Sequence, residues 1–273
     1  MGDHAQVAST GEVSVSVILP TYNRAALLQR SIDGVLGQSF DDLELIVVDD
    51  GSTDNTATVM NGYGDPRLRY LRLDRNRGLS AARNAGLACA RGRYLAFQDS
   101  DDEWHPGKLE SSLRALGAHP DAAVVYGDMI RQLADGRRLY LRSPDIERGR
   151  LINPRTRFWQ TYMLAMQPTL IRREAAGDIS FDEALNYFED LDFHLRLAMN
   201  HTYVHLREPL VTYHETGGLT ADPTLEFRAR RYLLRKYRAS LRREAPGMIV
   251  RESVNITLRR SLMPIVRQHL EPM

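Results

Sequence analysis

Three groups of polar residues, each directly after a short apolar run, carry most of the side chains that could do chemistry. They are PTYNR at 20–24, DDGSTD at 49–54 and DSDD at 99–102. Paired carboxylates and hydroxyls are the oxygen ligands that a hard divalent cation such as Mg²⁺ or Mn²⁺ prefers. Because a diphosphate is the usual partner of such a cation, the groups predict a site for a metal ion and a nucleotide. Tyr22 could stack on the base, and a carboxylate of the second group could accept hydrogen bonds from its edge.

Glycine-rich phosphate loops are missing from the sequence. No GxGxxG follows the first apolar run, which argues against a dinucleotide-binding fold. No GxxxxGKS or GxxxxGKT occurs either, which argues against a P-loop nucleotidase. We therefore expect the phosphates to be held by the metal ion and by side chains.

The elements that must position these groups alternate between strands and helices. Strands are predicted over 13–19, 44–48, 68–73 and 93–98, with helices over 25–38, 54–61 and 81–90 between them, the last capped by Ser80. The continuous apolar run at 44–48 is typical of a strand buried on both faces of a parallel sheet. The order predicts an α/β fold with a mostly parallel central sheet flanked by helices. Ligands bind beyond the carboxyl ends of such strands, which would bring the three polar groups into one crevice.

Beyond Pro106 the pattern is less regular. Further strands are predicted at 124–126, 169–172, 203–206 and 210–213, and further helices at 189–199, 224–243 and 249–270. We divide the chain into a disordered leader at 1–11, a first half at 12–105, a second half at 106–222 and a helical C-terminal extension at 223–273.

Composition excludes several classes of protein. The 273 residues, 43% of them hydrophobic and 26% charged, suit a globular chain with a sizeable core. No apolar run approaches the roughly 18 residues of a membrane-spanning helix, and residues 1–11 lack the features of a secretory signal. Cys89 is the only cysteine, which excludes an intrachain disulfide and a cysteine-based zinc site. These features predict a cytoplasmic protein.

The charge is divided unevenly along the chain. Residues 223–273 contain 12 Lys and Arg against 4 Asp and Glu, whereas the chain as a whole has a net charge of +1. The predicted helix in this extension has an apolar stripe and a basic stripe. It could pack on the body with its basic face in solvent, contact anionic lipid at the inner face of the membrane, or form a homodimer. Nucleic acid is not an expected partner, since the acidic body would repel it.

Four ordered motifs carry a resemblance to a known family. VSVILPTYNR, QSFDDLELIVVDDGSTDNT and NRGLSAARNAGLACARGRYLAFQDSDDEWHPGKL follow one another at matching spacing, and FEDLDFHLR comes later. Together they resemble the family 2 glycosyltransferases, closely over 13–109 and more weakly to about 220. The resemblance implies the GT-A (nucleotide-diphospho-sugar transferase) fold and transfer of a sugar from a nucleotide diphosphate to an acceptor with inversion.

The resemblance also implies roles for single residues. In this family the residues after the first strand and the second aspartate of VDDGS hold the base, and DSD corresponds to the DxD motif. Within that motif Asp99 is expected to contact the ribose and Asp101 to bind the metal ion. The expected nucleotide-binding residues are Pro20, Thr21, Tyr22, Arg24, Asp50, Arg77, Arg83, Asp99 and Ser100, and the expected metal ligands are Asp101, the competing Asp102, and His214.

The catalytic base is expected in the Glu189–Asp190 pair, which resembles the family's ED motif. A single displacement needs a carboxylate that accepts the proton of the acceptor hydroxyl. We assign this role to Asp190, with Glu189 as a supporting residue. The alternative is that both acids simply favour the positive end of a helix.

The expected function is that of an inverting, metal-dependent glycosyltransferase. A UDP-sugar is the favoured donor, Mn²⁺ or Mg²⁺ the cofactor, and a saccharide, a lipid-linked molecule or a small molecule the acceptor. GDP- and dTDP-sugars stay open as donors. Two other readings are a sugar-nucleotide pyrophosphorylase and a non-catalytic nucleotide-sugar binding protein.

Overall fold

The computed structural model describes residues 13–162, 164–216 and 223–252. The predicted leader and most of the predicted helix at 249–270 lie outside these ranges. The strands are β1 (Val15–Thr21), β2 (Leu43–Asp49), β3 (Leu68–Arg72), β4 (Tyr94–Phe97), β5 (Glu103–Trp104), β6 (Ala122–Gln132), β7 (Arg138–Leu141), β8 (Thr169–Arg172) and β9 (Thr202–His214). The helices are α1 (Ala25–Leu36), α2 (Thr56–Asn61), α3 (Leu79–Cys89), α4 (Lys108–Ala118), α5 (Arg173–Ala176), α6 (Glu189–Ala198), α7 (Pro223–Lys236) and α8 (Arg238–Glu244).

One sheet runs through the molecule in the order β3-β2-β1-β4-β8-β6-β9-β5, with β7 paired to β6. The first four strands are parallel, as the alternation of strands and helices predicts. The second half is mixed, because β8 is antiparallel to both β4 and β6, whereas β9 is parallel to β6. The all-parallel part therefore ends at β4, and strands of mixed direction extend the sheet.

The core lies on both faces of this sheet. Every residue of β1 and β2 is buried, which explains their continuous apolar runs. On one face the odd-numbered residues of β1 pack against α1 and α4 through Ile32, Val35 and Leu116. On the other face Ile18 packs in a cluster with α3 and with Phe193 of α6. This second cluster fixes the helices that carry Arg83 and Asp190.

β9 is one long strand where the sequence predicts two separate strands. Pro209 lies between the two predicted strands. A proline has no backbone N–H to donate to a neighbouring strand, so the sequence predicts a break at this position. Pro209 pairs with Asp128 of β6, where the register shifts on both sides, so a bulge accommodates the proline within a continuous strand.

The C-terminal helices pack on α6. Ala229, Leu233 and Leu241 are buried against Leu191 and Leu195 of α6, which matches the packed alternative for the apolar stripe. The predicted single helix at 224–243 is broken at Tyr237, between α7 and α8. Residues 246–252 are helical again and begin with a proline, a residue suited to the first helical position. None of the helices within the described residues combines the length and the apolar character that crossing a membrane requires.

Candidate active site

The turns after β1 and β2 are joined by hydrogen bonds. Asn23 has a left-handed backbone (φ 51°), which asparagine tolerates better than most residues. Its side-chain oxygen accepts the N–H of Thr53 at 2.8 Å, and its own N–H donates to the Ser52 hydroxyl at 2.9 Å. The structure therefore brings the first two predicted groups together. The sequence does not predict this joining role of Asn23, because its partners Ser52 and Thr53 are some thirty residues away in the chain.

The predicted base-binding residues differ in exposure. Tyr22 is 43% exposed and free to stack, whereas Pro20 and Thr21 are buried in β1. Asp50 is 3% exposed, and its two carboxylate oxygens accept the N–H groups of Arg77 and Gly78, each at 2.8 Å. Burial raises the pKa of Asp50, and these hydrogen bonds oppose the rise. Asp50 thus holds the loop before α3 in place at the edge of the crevice.

Asp102 is buried, and both of its carboxylate oxygens accept hydrogen bonds from the protein. Its carboxylate accepts the backbone N–H of His214 at 3.0 Å and the side-chain N–H of Gln167 at 2.8 Å. Gln167 also donates to Asp99. Burial, and then the charges of Asp99 and Asp101, raise the pKa of Asp102 well above its usual range. These contacts favour a structural role for Asp102, in which it joins the DSD turn to the end of β9. They do not favour the predicted role of a metal ligand. Gln167 was not predicted, because an isolated glutamine gives no signal in the sequence.

Asp101 is better placed to bind a cation than Asp102. Its carboxylate is partly exposed, accepts the hydroxyl of Thr216 at 2.6 Å and lies 3.9 Å from Arg24. The ring of His214 lies 3.6 Å from Glu103, and burial lowers the pKa of the imidazole. A neutral imidazole is the form that binds metal ions. Ser100, between the two aspartates of the motif, is half-buried.

The side chains of Asp101 and His214 can bind a divalent cation, but they are too few to complete its coordination. Across 13–162, 164–216 and 223–252, no group of three or more His, Cys, Asp or Glu side chains could hold a metal ion. A cation at Asp101 and His214 would need oxygen atoms from a bound ligand to complete its coordination.

Arg83 joins the DSD motif to the ED motif. Its guanidinium is buried and donates to Asp99 at 2.9 Å and to Glu189 at 2.7 Å. It also lies 5.2 Å from the ring of Phe181. These contacts favour a positioning role over the predicted contact with the donor. Arg77, in contrast, is half exposed and lies 3.5 Å from Glu183, so its side chain can reach solvent.

Asp190 lies in the first turn of α6. Phe188, the residue just before α6, has a left-handed backbone (φ 63°). This conformation is rare for a bulky residue and often marks functional sites. Burial and then the charge of Glu189 raise the pKa of Asp190 to about 7, although Arg83 opposes the rise. A carboxyl group with this pKa can exchange a proton near neutral pH.

Comparison with known proteins supports the sequence resemblance. The family model "Glycosyl transferase family 2" matches residues 16–180, which is more than half of the chain. The UDP-Glc:α-D-GlcNAc-diphosphoundecaprenol β-1,3-glucosyltransferase WfgD of Escherichia coli is 41% identical over 114 residues, or 42% of this chain and 45% of that protein. The chain spans about half the length of the curated relatives it matches.

Solved structures share the fold. S. aureus TarS 1–349 in complex with UDP has a TM-score of 0.62 at 23% identity, covering 80% of this chain and 63% of that chain. The mannosyltransferase PcManGT from Pyrobaculum calidifontis, in complex with GDP-Man and Mn²⁺, has a TM-score of 0.60 at 22% identity, covering 90% and 70%. The predicted GT-A fold is thereby confirmed. The chain, with its family-model match across both halves of the sheet, belongs to glycosyl transferase family 2.

Proposed function

We propose that this protein is an inverting glycosyltransferase that transfers a sugar from a nucleotide-diphospho-sugar to an acceptor hydroxyl. Family membership supports the reaction class. The observation that carries the proposal is the position of Asp190 next to Glu189, which Arg83 connects to Asp99 of the DSD motif. Burial there raises the pKa of Asp190 to about 7. A base beside a nucleotide site is the arrangement that a single displacement requires.

UDP-sugars are the favoured donors. The exposed ring of Tyr22 can stack on a base, and Asp50 lies beside the same turn, since its backbone N–H donates to the carbonyl of Thr21 at 2.9 Å. The names of WfgD and of the TarS complex, which contain UDP-Glc and UDP, support uracil over guanine. PcManGT is in complex with GDP-Man, so a GDP-sugar is the alternative donor to be tested.

A divalent cation, Mn²⁺ or Mg²⁺, is the proposed cofactor. Asp101 would hold it through a carboxylate oxygen, the donor that both ions prefer, and His214 would add a neutral imidazole nitrogen. When bound, the cation supplies positive charge that stabilises the departing diphosphate. The Mn²⁺ in the PcManGT complex supports this assignment.

The direct test is Asp190→Asn. Asparagine keeps the shape of the side chain but cannot accept the proton, so we expect turnover to fall by at least about a hundredfold. The dissociation constant of the donor should change by less than about twofold. Release of nucleoside diphosphate and calorimetric donor titration measure the two quantities. Asp178→Asn, at an exposed aspartate on the protein surface, is the matched control and should keep full activity.

Two results would overturn parts of the proposal. Full turnover by Asp190→Asn would show that another group is the base. If the wild-type protein binds the donor yet releases no nucleoside diphosphate with any acceptor, the chain is a non-catalytic binding protein.

A further inference from the structure

Gln167 lies between the carboxylates of Asp99 and Asp102. Its side-chain nitrogen Nε2 donates one hydrogen bond to Oδ2 of Asp99 and a second, of 2.8 Å, to Oδ2 of Asp102. A glutamine amide carries two N–H protons, so this one nitrogen can serve both acceptors. Gln167 is 5% exposed, so both hydrogen bonds lie inside the protein. Two aspartates of the DSDD group are therefore held together by a residue of the segment before β8.

The two carboxylates also determine which way the amide of Gln167 points. If the amide were turned over, its oxygen would face two carboxylate oxygens and repel both. In the observed orientation the oxygen Oε1 is buried and has no hydrogen-bond partner among residues 13–162, 164–216 and 223–252. A buried polar atom without a partner is uncommon in proteins and calls for an explanation. The two hydrogen bonds from Nε2 supply one, because they can form only when Oε1 points the other way.

A neutral hydrogen-bond donor suits a place next to a proposed cation site. A lysine or arginine at position 167 could also hold the two carboxylates, but its positive charge would repel a divalent cation at the neighbouring Asp101. The amide of Gln167 donates two hydrogen bonds and adds no charge. The negative charge of the aspartates therefore stays available to attract the cation.

The backbone of the same turn has supports of its own on α1. Arg30 donates to the carbonyl of Asp101, and the hydroxyl of Ser31 donates to the carbonyl of Asp102 at 2.7 Å. These hydrogen bonds do not involve Gln167. Loss of its amide should therefore move the carboxylates and leave the backbone of the turn in place.

We propose that Gln167 is a positioning residue for the binding of the nucleotide and the cation. It holds Asp99, the residue expected at the ribose, and Asp102, whose carboxylate also accepts the backbone N–H of His214 at 3.0 Å. Asp101 lies between these two aspartates in the chain, and His214 is the second proposed ligand of the cation. The amide of Gln167 thus sets the spacing of the groups on which both ligands depend. This inference rests on the proposed function and adds to it a residue from the second half of the chain.

Calorimetric titration with UDP and with GDP, each with and without Mn²⁺, tests the proposal in Gln167→Met. Methionine has a similar size but no N–H to donate. In the presence of Mn²⁺ we expect the dissociation constant of the nucleotide to rise at least about tenfold, because the carboxylates of Asp99 and Asp102 repel each other without the amide.

Gln160→Met is the matched control, and its dissociation constant should stay within about twofold of that of the wild-type protein. Gln160 is also buried, and its Oε1 also has no partner among the described residues. Its Nε2, however, donates to the backbone carbonyl of Glu147 and not to a carboxylate. The two variants therefore remove the same kind of side chain, and only one of them removes a contact with the DSDD group.

Gln167→Lys separates the hydrogen bonds from the charge. A lysine ammonium group can donate to both carboxylates but carries a positive charge. Without Mn²⁺ we expect this variant to bind the nucleotide about as tightly as the wild-type protein, whereas the gain in affinity on adding Mn²⁺ should fall at least about threefold. A residue that only filled space would not distinguish methionine from lysine in this way. Circular dichroism checks that all three variants are folded.

The outcomes separate this inference from the proposed function. Equal nucleotide affinity of Gln167→Met and Gln160→Met would overturn the inference and leave the proposed function standing. An undiminished effect of Mn²⁺ in Gln167→Lys would also overturn it, since a neutral donor would then not be required. Failure of the wild-type protein to bind either nucleotide would instead remove the proposed function, and this inference with it.

Discussion

The carboxylates of the site have different hydrogen-bond partners, and these partners indicate different roles. Asp50 and Asp102 accept backbone N–H groups and so anchor the loops around the crevice. Asp99 and Glu189 share the guanidinium of Arg83. For Asp190 the structure shows a hydrogen bond from the next backbone N–H, at 2.7 Å. Its raised pKa follows from burial beside these other charges and makes it the group best suited to move a proton.

Arg83 should set the pH at which the proposed base works. Its charge lowers the pKa of Asp190, so Arg83→Gln should raise that pKa further. Since the base must be ionised, activity falls as the pH falls below its pKa of about 7. We expect the acid limb of kcat/KM to move up by about one pH unit in Arg83→Gln. The variant should also lose about 3–5 kcal/mol of stability, because a buried ion pair is broken.

Arg83→Lys is the control for this prediction. Lysine keeps the positive charge, so the acid limb should stay within about half a pH unit of that of the wild-type protein. A pH profile that is unchanged in Arg83→Gln would show that Arg83 has no electrostatic influence on the base.

Among the elements, α3 determines where Arg83 lies. Gly86 lets this helix approach the sheet closely, since a Cβ at that position would lie 2.5 Å from Ile18 of β1 and 3.3 Å from Val48 of β2. Asp50 holds the loop before the same helix, and the Ser80 hydroxyl donates to the carbonyl of Leu185 at 2.8 Å. The predicted cap is wrong: Gly78 (φ 92°), not Ser80, is the residue that precedes the first turn of α3.

Gly86→Ala should separate α3 from the sheet. The added methyl group overpacks the core, so we expect a loss of about 1–3 kcal/mol in the free energy of unfolding by urea. Turnover should also fall, because Arg83 moves with the helix. Gly117→Ala is the control, since a Cβ there meets nothing within 4 Å and alanine favours helix by about 1 kcal/mol. Equal stability of the two variants would contradict the close packing of α3.

A further set of contacts joins the C-terminal helices to α6, the helix that carries Asp190. Lys236 of α7 lies 2.7 Å from Asp192 of α6 and 2.6 Å from Asp182, and the hydroxyl of Tyr237 donates to Asp192 at 2.8 Å. These contacts hold the C-terminal helices against α6. The exposed arginines of its basic stripe face solvent, so contact with lipid or with a second copy remains a prediction.

At the scale of the whole molecule, the sequence predicts the first half better than the second. Continuous apolar runs and four spaced motifs lead to the parallel strands and to the family, and both are confirmed. The mixed half depends on pairings between distant segments, such as β5 with β9, that no local pattern reveals. The role of Gln167 arises only from tertiary contacts, because an isolated glutamine has no distinctive spacing. The motif does single out Arg83, but its two carboxylate partners come from distant segments that no local pattern pairs with it.

Thermal unfolding tests most directly whether the residues that follow β1, β2 and β4 bind a metal ion and a nucleotide. UDP, GDP, dTDP and CDP are each added with and without Mn²⁺. At about one hundred times its dissociation constant, a bound ligand adds roughly 2.7 kcal/mol of stability, or several degrees in Tm. We predict that UDP raises the Tm with Mn²⁺ and much less without it, and that Asp101→Ala removes the difference. No rise with any of the four nucleotides, with or without the cation, would show that the protein has no such nucleotide site.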